Sequence, residues 1–153
     1  MMKLIVDIGN TLVKYAIFKK GNMLSIIKDK NFNSEVANQL IKEYKVSSCI
    51  ISSVREKKTY NLNISKLIIL SHATKIPVKI NYDSIETLGT DRIAIIVAAS
   101  EIYKDSSVLI IDIGTCITYD YIDKKSSYKG GRISPGISLR YQSLCDYTSR
   151  LPL

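Results

Sequence analysis

Residues 4–15 read LIVDIGNTLVKY, and residues 109–119 read LIIDIGTCITY. Both stretches run from an apolar, β-rich segment into Asp-Ile-Gly and out into a second β-rich segment. That is the pattern of two strands joined by a tight turn. A chance match between short apolar stretches would look much the same. The two copies nevertheless share strand, turn and strand in the same order, and self-similarity of this kind is the mark of a repeated structural unit. Duplication is the reading adopted, and it predicts a fold built from two related halves.

Outward from the first copy, Gly9 to Thr11 form the hairpin turn, residues 12–18 the second strand and 23–27 a third, after a turn at Gly21-Asn22. Ser34, with Glu35 in the first turn, can cap a helix to about Tyr44, because Val36, Leu40 and Ile41 recur at helical spacing. A buried strand is expected at 49–54, a poorer helix at 60–75 and a strand at 78–82. Residues 90–103 form a helix with Ile93, Ile96, Val97 and Ser100 on one side, and the strand at 108–111 then restarts the pattern. The second copy continues with strands near 118–122 and 128–133 about a turn at 123–127, then a helix at 137–147. The expected division is residues 1–104 and 105–153. The later strand and helix units of the first half have no counterpart in the second, so the second half is expected to be incomplete. Either the sequence is a fragment or something else covers a sheet edge that would otherwise recruit another chain.

At 153 residues the chain is long enough to bury a core without requiring two domains. No apolar run approaches the roughly 18 residues of a membrane-spanning helix, so no membrane role is expected. The first residues, MMKLIVDIGNT, interrupt their apolar run too early for a secretory signal, which points to the cytoplasm. Cys49, Cys116 and Cys145 form no CxxC pair and have only His72 as an additional soft ligand, so reduced thiols are expected instead of a zinc site. A net charge of +8 favours anionic partners in general. Its lysine pairs, at 19–20, 57–58 and 124–125, lie in apparent turns without interleaved aromatics, which argues against dedicated nucleic-acid binding.

An Asp-x-Gly turn has a physical use at a phosphate. The glycine lets the backbone approach, successive N–H groups and a threonine hydroxyl donate to phosphate oxygens, and the aspartate at the strand end can hold a cation or its waters. Asp and Gly also simply begin turns. Two copies, each closing the first strand of its half, favour the phosphate reading.

Paired Asp-Ile-Gly hairpins in a duplicated α/β unit resemble the acetate and sugar kinase, heat-shock ATPase and actin superfamily. Four stretches, DIGNTLVK at 7–14, GTDR at 89–92, DIGTCITYD at 112–120 and GGRISPGISLR at 130–140, together resemble type III pantothenate kinases, and TSRLP at 148–152 fits too. The resemblance implies a duplicated ribonuclease-H-like (actin-like ATPase) fold with mixed sheets flanked by helices. It also implies ATP-dependent phosphorylation of pantothenate, the first step toward coenzyme A. In the family the segment matching Asp7, Ile8, Gly9, Asn10, Thr11, Leu12, Val13 and Lys14 binds ATP. Asp7 would face magnesium, directly or through water, and Thr115 would contact the nucleotide. Gly89, Thr90, Asp91, Arg92 and Tyr82 match pantothenate-binding positions, with Asp91 as the general base. Asp112 matches a ligand for a monovalent cation, potassium or ammonium, and the family works as homodimers that share the substrate pocket.

Phosphoryl transfer depends chiefly on positioning and charge neutralisation, which these residue types can supply. Taken without the family, Asp91 could merely begin a helix, where the macrodipole favours a carboxylate, and Arg92 could be an ordinary helix-face ion pair. Two alternatives to the kinase stand beside it. One is a non-catalytic regulator of the transcription-accessory kind or an inactive fragment; the other is a different small-molecule kinase of the superfamily.

Overall fold

The computed structural model describes residues 1–55, 59–81 and 85–152. Its elements are β1 (Met2–Ile8), β2 (Val13–Lys19), β3 (Asn22–Asp29), α1 (Ser34–Glu43), β4 (Val46–Ser53), β5 (Leu67–Ile69), β6 (Lys79–Ile80), α2 (Thr90–Ile102), β7 (Val108–Ile113), β8 (Cys116–Ile122), β9 (Ser127–Pro135) and α3 (Ile137–Asp146). Backbone packing divides the chain into two compact units, Met1–Thr74 with Gly89–Asp91, and Lys75–Leu88 with Arg92–Leu153.

The first unit is a mixed sheet in the order β3-β2-β1-β4-β5. β1 pairs antiparallel with β2 and parallel with β4, matching Asp7 to Lys14 on one side and to Ser52 on the other. A parallel neighbour requires a crossover, and α1 supplies it. Ala37, Leu40 and Ile41 of α1 pack with Leu4, Val6 and Ile8 of β1, Val13, Tyr15 and Ile17 of β2, and Cys49 and Ile51 of β4. Each large aliphatic side chain removed from water here contributes about 1.5–3 kcal/mol. The helix begins one residue earlier than expected. Asn33, not Ser34, is the cap: its side chain accepts the Glu35 N–H at 2.8 Å, and its own N–H donates to the Tyr15 hydroxyl at 2.7 Å.

The helix expected at 60–75 is absent among the described residues. Leu67–Ile69 instead lies parallel to β4, with Cys49 opposite Leu67. The preceding segment is held by a side chain in place of a helical ladder. Asn38 donates to the Asn61 carbonyl at 3.0 Å and accepts the Asn63 N–H at 2.8 Å. The β-branched Ile68 and Ile69 then favour the strand.

The second unit carries a sheet in the order β6-β9-β8-β7. β7, β8 and β9 repeat the antiparallel meander of β1, β2 and β3. β6, within the expected strand at 78–82, pairs parallel with β9. The repeat extends to side-chain alternation: Leu4, Val6 and Ile8 correspond to Leu109, Ile111 and Ile113. The first three are at most 3% exposed, while the second three are 52–64% exposed. In the first unit that face lies under α1.

Burial pushes the Cys49 thiol up to about 12. Raising a thiol pKa depletes the reactive thiolate below it, so at pH 8 Cys49 is almost wholly protonated. In an Ellman titration of the native chain at pH 8, Cys49 should react far more slowly than Cys116 and Cys145. Denaturant should bring all three to the same rate.

Candidate active site

The carboxyl ends of parallel strands in α/β sheets are where ligands gather, and in the first unit β1 and β4 end together. Beyond Ile8 the chain makes a tight turn closed by the Gly9 N–H on the Leu12 carbonyl at 3.0 Å. β2 then brings Lys14 opposite Asp7, with Nζ 3.2 Å from Oδ2. Both side chains are substantially exposed, so the pair adds only about 0–1 kcal/mol to stability. An arriving phosphate and cation can readily exchange it for Lys14–phosphate and Asp7–cation contacts.

Next to Asp7 in the parallel register stands Ser52, and next to Ile8 stands Ser53. Thr90 at the head of α2 is fastened here: its hydroxyl donates to the Ser53 carbonyl at 3.0 Å and receives the Ser52 hydroxyl at 3.1 Å. Asp91 comes next, in the first turn of the helix. A Cβ on Gly89 would collide with the Asp91 carboxylate, so glycine at 89 leaves the space that carboxylate occupies. Asp7, Lys14, Thr90 and Asp91 therefore belong to one compact unit, built on the ends of β1 and β4.

Of the other expected site residues, Gly9, Asn10, Thr11 and Leu12 form the turn, while Ile8 and Val13 are buried beneath it. Tyr82 lies outside the described residues. Asp112 and Thr115 lie in the second unit, both exposed, at the β7–β8 turn. That turn is closed by the Gly114 N–H on the Cys116 carbonyl at 2.9 Å and is braced by the Gly136 N–H on the Thr115 carbonyl at 3.0 Å.

Arg92 is buried in the second unit. Its Nη2 lies 2.7 Å from Asp120 Oδ1, its Nε lies 3.1 and 3.2 Å from the two carboxylate oxygens, and Nη2 also reaches the Tyr128 hydroxyl at 3.0 Å. Tyr128 donates in turn to Asp120 Oδ1 at 2.8 Å. Asp120 and Tyr128 are fully buried. A Cβ at position 131 would run into Arg92 Nη2 and the Tyr119 carbonyl, so the second glycine of GGRISPG makes room for this network. A cavity of about 290 Å³ lined by Tyr119, Arg132, Ser134 and Arg140 contains none of the expected site residues.

Sequence reasoning missed Ser52 and Ser53, which anchor Thr90, as well as Asp120 and Arg55. Asp120 carried a usable signal. With Ile122 it occupies one face of a strand by simple alternation, so a carboxylate on that face asks for a buried cation. Arg55 gave none, standing at the head of the charged run Arg-Glu-Lys-Lys.

Among the described residues no three His, Cys, Asp or Glu side chains gather as a metal cluster. An exposed single carboxylate such as Asp7 suits magnesium, which is commonly held by one or two carboxylates together with waters and substrate phosphates.

A mixed sheet in the order 3-2-1-4-5 with an Asp-Ile-Gly hairpin at the carboxyl end of its first strand, followed by a second such hairpin, defines a ribonuclease-H-like fold of the actin-like ATPase type. The type III pantothenate kinase family profile matches residues 3–153, and the chain belongs to that family. A type III pantothenate kinase from Phocaeicola vulgatus is 40% identical over 99% of this chain. The chain spans 64% of that relative's length. Among solved structures, a Campylobacter jejuni protein assigned to the Baf family of transcriptional activators aligns over 95% of this chain and 60% of its own, with a TM-score of 0.55 and 26% identity. The Aquifex aeolicus Ppx/GppA phosphatase aligns over 94% of this chain and 55% of its own at a TM-score of 0.53; at 14% identity it supports the fold alone. Among the described residues no helix is long and apolar enough to cross a membrane.

Removing one partner of a buried ion pair strands the other. Asp120→Ala should therefore cost about 3–5 kcal/mol. The double replacement Arg92→Met with Asp120→Leu should recover a large part of it, and urea unfolding monitored by circular dichroism checks both.

Proposed function

We propose that the chain carries the phosphate- and pantothenate-binding machinery of an ATP-dependent pantothenate kinase, producing 4'-phosphopantothenate on the route to coenzyme A. The observation that carries this reading is the tie between Thr90 and the Ser52–Ser53 end of β4, because it sets Asp91 at the strand ends where the Asp7 hairpin also turns.

In this reading the turn from Gly9 to Leu12 and the Lys14 ammonium hold the ATP phosphates, and Asp7 holds magnesium directly or through water. Magnesium supplies neutralisation of phosphate charge when bound. Asp91 accepts the proton of the substrate's primary hydroxyl as that oxygen attacks the γ-phosphorus and the bond from phosphorus to the β–γ bridging oxygen breaks, releasing ADP; the proton acceptor needs only hydrogen-bond reach. Gly89, Thr90, Arg92 and Tyr82 form the pantothenate side of the site, with Arg92 serving through its backbone. Thr115 contacts the nucleotide, and Asp112 ligates a potassium or ammonium ion. The proposed division is a first lobe at 1–104 and a second beginning at 105, working as a cytoplasmic homodimer whose subunits share the substrate pocket.

A regulator is the second reading, favoured by the likeness to the Baf family protein. Purified chain incubated with ATP, magnesium, potassium and pantothenate distinguishes the two. The kinase reading expects 4'-phosphopantothenate by mass spectrometry and a fall of at least about 100-fold in Asp91→Asn, the scale of general-base catalysis. Nucleotide binding without turnover, unchanged by that substitution and not remedied when a full-length second lobe is supplied, would favour the regulator.

A further inference from the structure

Arg55 lies two residues beyond β4, and its backbone N–H donates to Ser53 Oγ at 3.2 Å. Its side chain folds back over the β1–β2 turn. Nε donates to the Gly9 carbonyl at 2.7 Å, and Nη2 donates to the carbonyls of Asn10 at 3.2 Å and Lys30 at 3.1 Å. Nη1 reaches Asn31 Oδ1 at 3.5 Å. One planar guanidinium thus joins the end of β4, the turn after β1 and the loop after β3. Its partners among the described residues are uncharged oxygens, so no carboxylate cancels its charge there.

Peptide geometry dictates the consequence for the turn. In a trans peptide the carbonyl and the next residue's N–H point in opposite directions, and the structure contains no cis peptide among the described residues. Aiming the Gly9 and Asn10 carbonyls at Arg55 therefore aims the N–H groups of Asn10 and Thr11 away from it. Successive backbone N–H groups on one side of a turn can donate to the oxygens of an anion. A lysine cannot do the same. It is a point charge without the planar fork that spans several carbonyls at once.

We propose that Arg55 is a positioning residue of the nucleotide site, which orients the Asn10 and Thr11 peptide N–H groups toward the ATP phosphates. The proposal rests on the ATP-binding reading above. It assigns Arg55 no contact with the reacting atoms; its effect is exerted through the turn.

The test is a titration of the ¹⁵N-labelled 153-residue chain with magnesium ATP, and separately with magnesium tripolyphosphate, monitoring the Asn10 and Thr11 amide resonances in wild type, Arg55→Ala and Arg55→Lys. Both variants should bind either ligand at least about tenfold more weakly, the scale of losing one well-aimed charge-assisted hydrogen bond. The two resonances should already be displaced before ligand is added, and free guanidinium should restore part of the affinity to Arg55→Ala but none to Arg55→Lys. Should the alanine variant fail to fold, Arg55→Lys, which keeps length and charge, carries the comparison. Wild-type binding matched within about twofold by a folded variant overturns the role of Arg55 and leaves ATP binding intact. A wild-type chain with no saturable response to either ligand overturns the ATP-binding reading and the Arg55 role with it.

Discussion

Because β1 pairs in parallel with β4, both strands deliver their carboxyl ends to the same edge of the first unit's sheet, and the turn and helix head assembled at that edge depend on the pairing. Ile8 runs into the Asp-Ile-Gly turn, while Ser52 and Ser53 end β4 with a hydroxyl and a carbonyl that hold the head of α2. An antiparallel partner would have sent the end of β4 to the opposite edge and left Thr90 without its anchor. The pairing is fixed by burial. Leu4, Val6 and Ile8 must face α1, and slipping the register by one residue would turn all three to the other side of the sheet.

Much of this was legible because the informative residues were local. The hairpins arise from alternating apolar residues interrupted by Asp-Ile-Gly, and α2 from Ile93, Ile96 and Ser100. The failures share a cause, since each depended on a partner distant in sequence. Residues 60–75 read as a poorer helix, but Asn38, on α1, occupies the polar groups of Asn61 and Asn63 and steers the chain into β5. The cap of α1 moved from Ser34 to Asn33 because the hydroxyl of Tyr15, on β2, takes the Asn33 N–H. Within the site, Asp7 and Asp91 could be named from their motifs, whereas Arg55 acts on carbonyls 45 and 46 positions away.

The internal repeat is most exact in the backbone and least exact in what covers it. Tyr15 and Tyr119 hold equivalent places in the two meanders. Tyr15 is buried and engages the start of α1; Tyr119 is half-exposed beside the cavity that also includes Arg140 of α3. On the opposite face of β8, by contrast, the second unit has acquired something the first lacks. Where β2 carries Ala16, β8 carries Asp120, and a charged network replaces a small apolar contact.

That network ties the fates of three positions. Any side chain at 131 would need the volume now filled by the Arg92 guanidinium, and a shortened Arg92 would strand Asp120. Changes at 92, 120 and 131 are therefore expected to travel together through evolution, as a covarying trio whose members sit in three separate motifs of the sequence. Selection acting to preserve the interior of the second unit would then be enough to keep the arginine of GTDR and the second glycine of GGRISPG in step, whatever either contributes to chemistry.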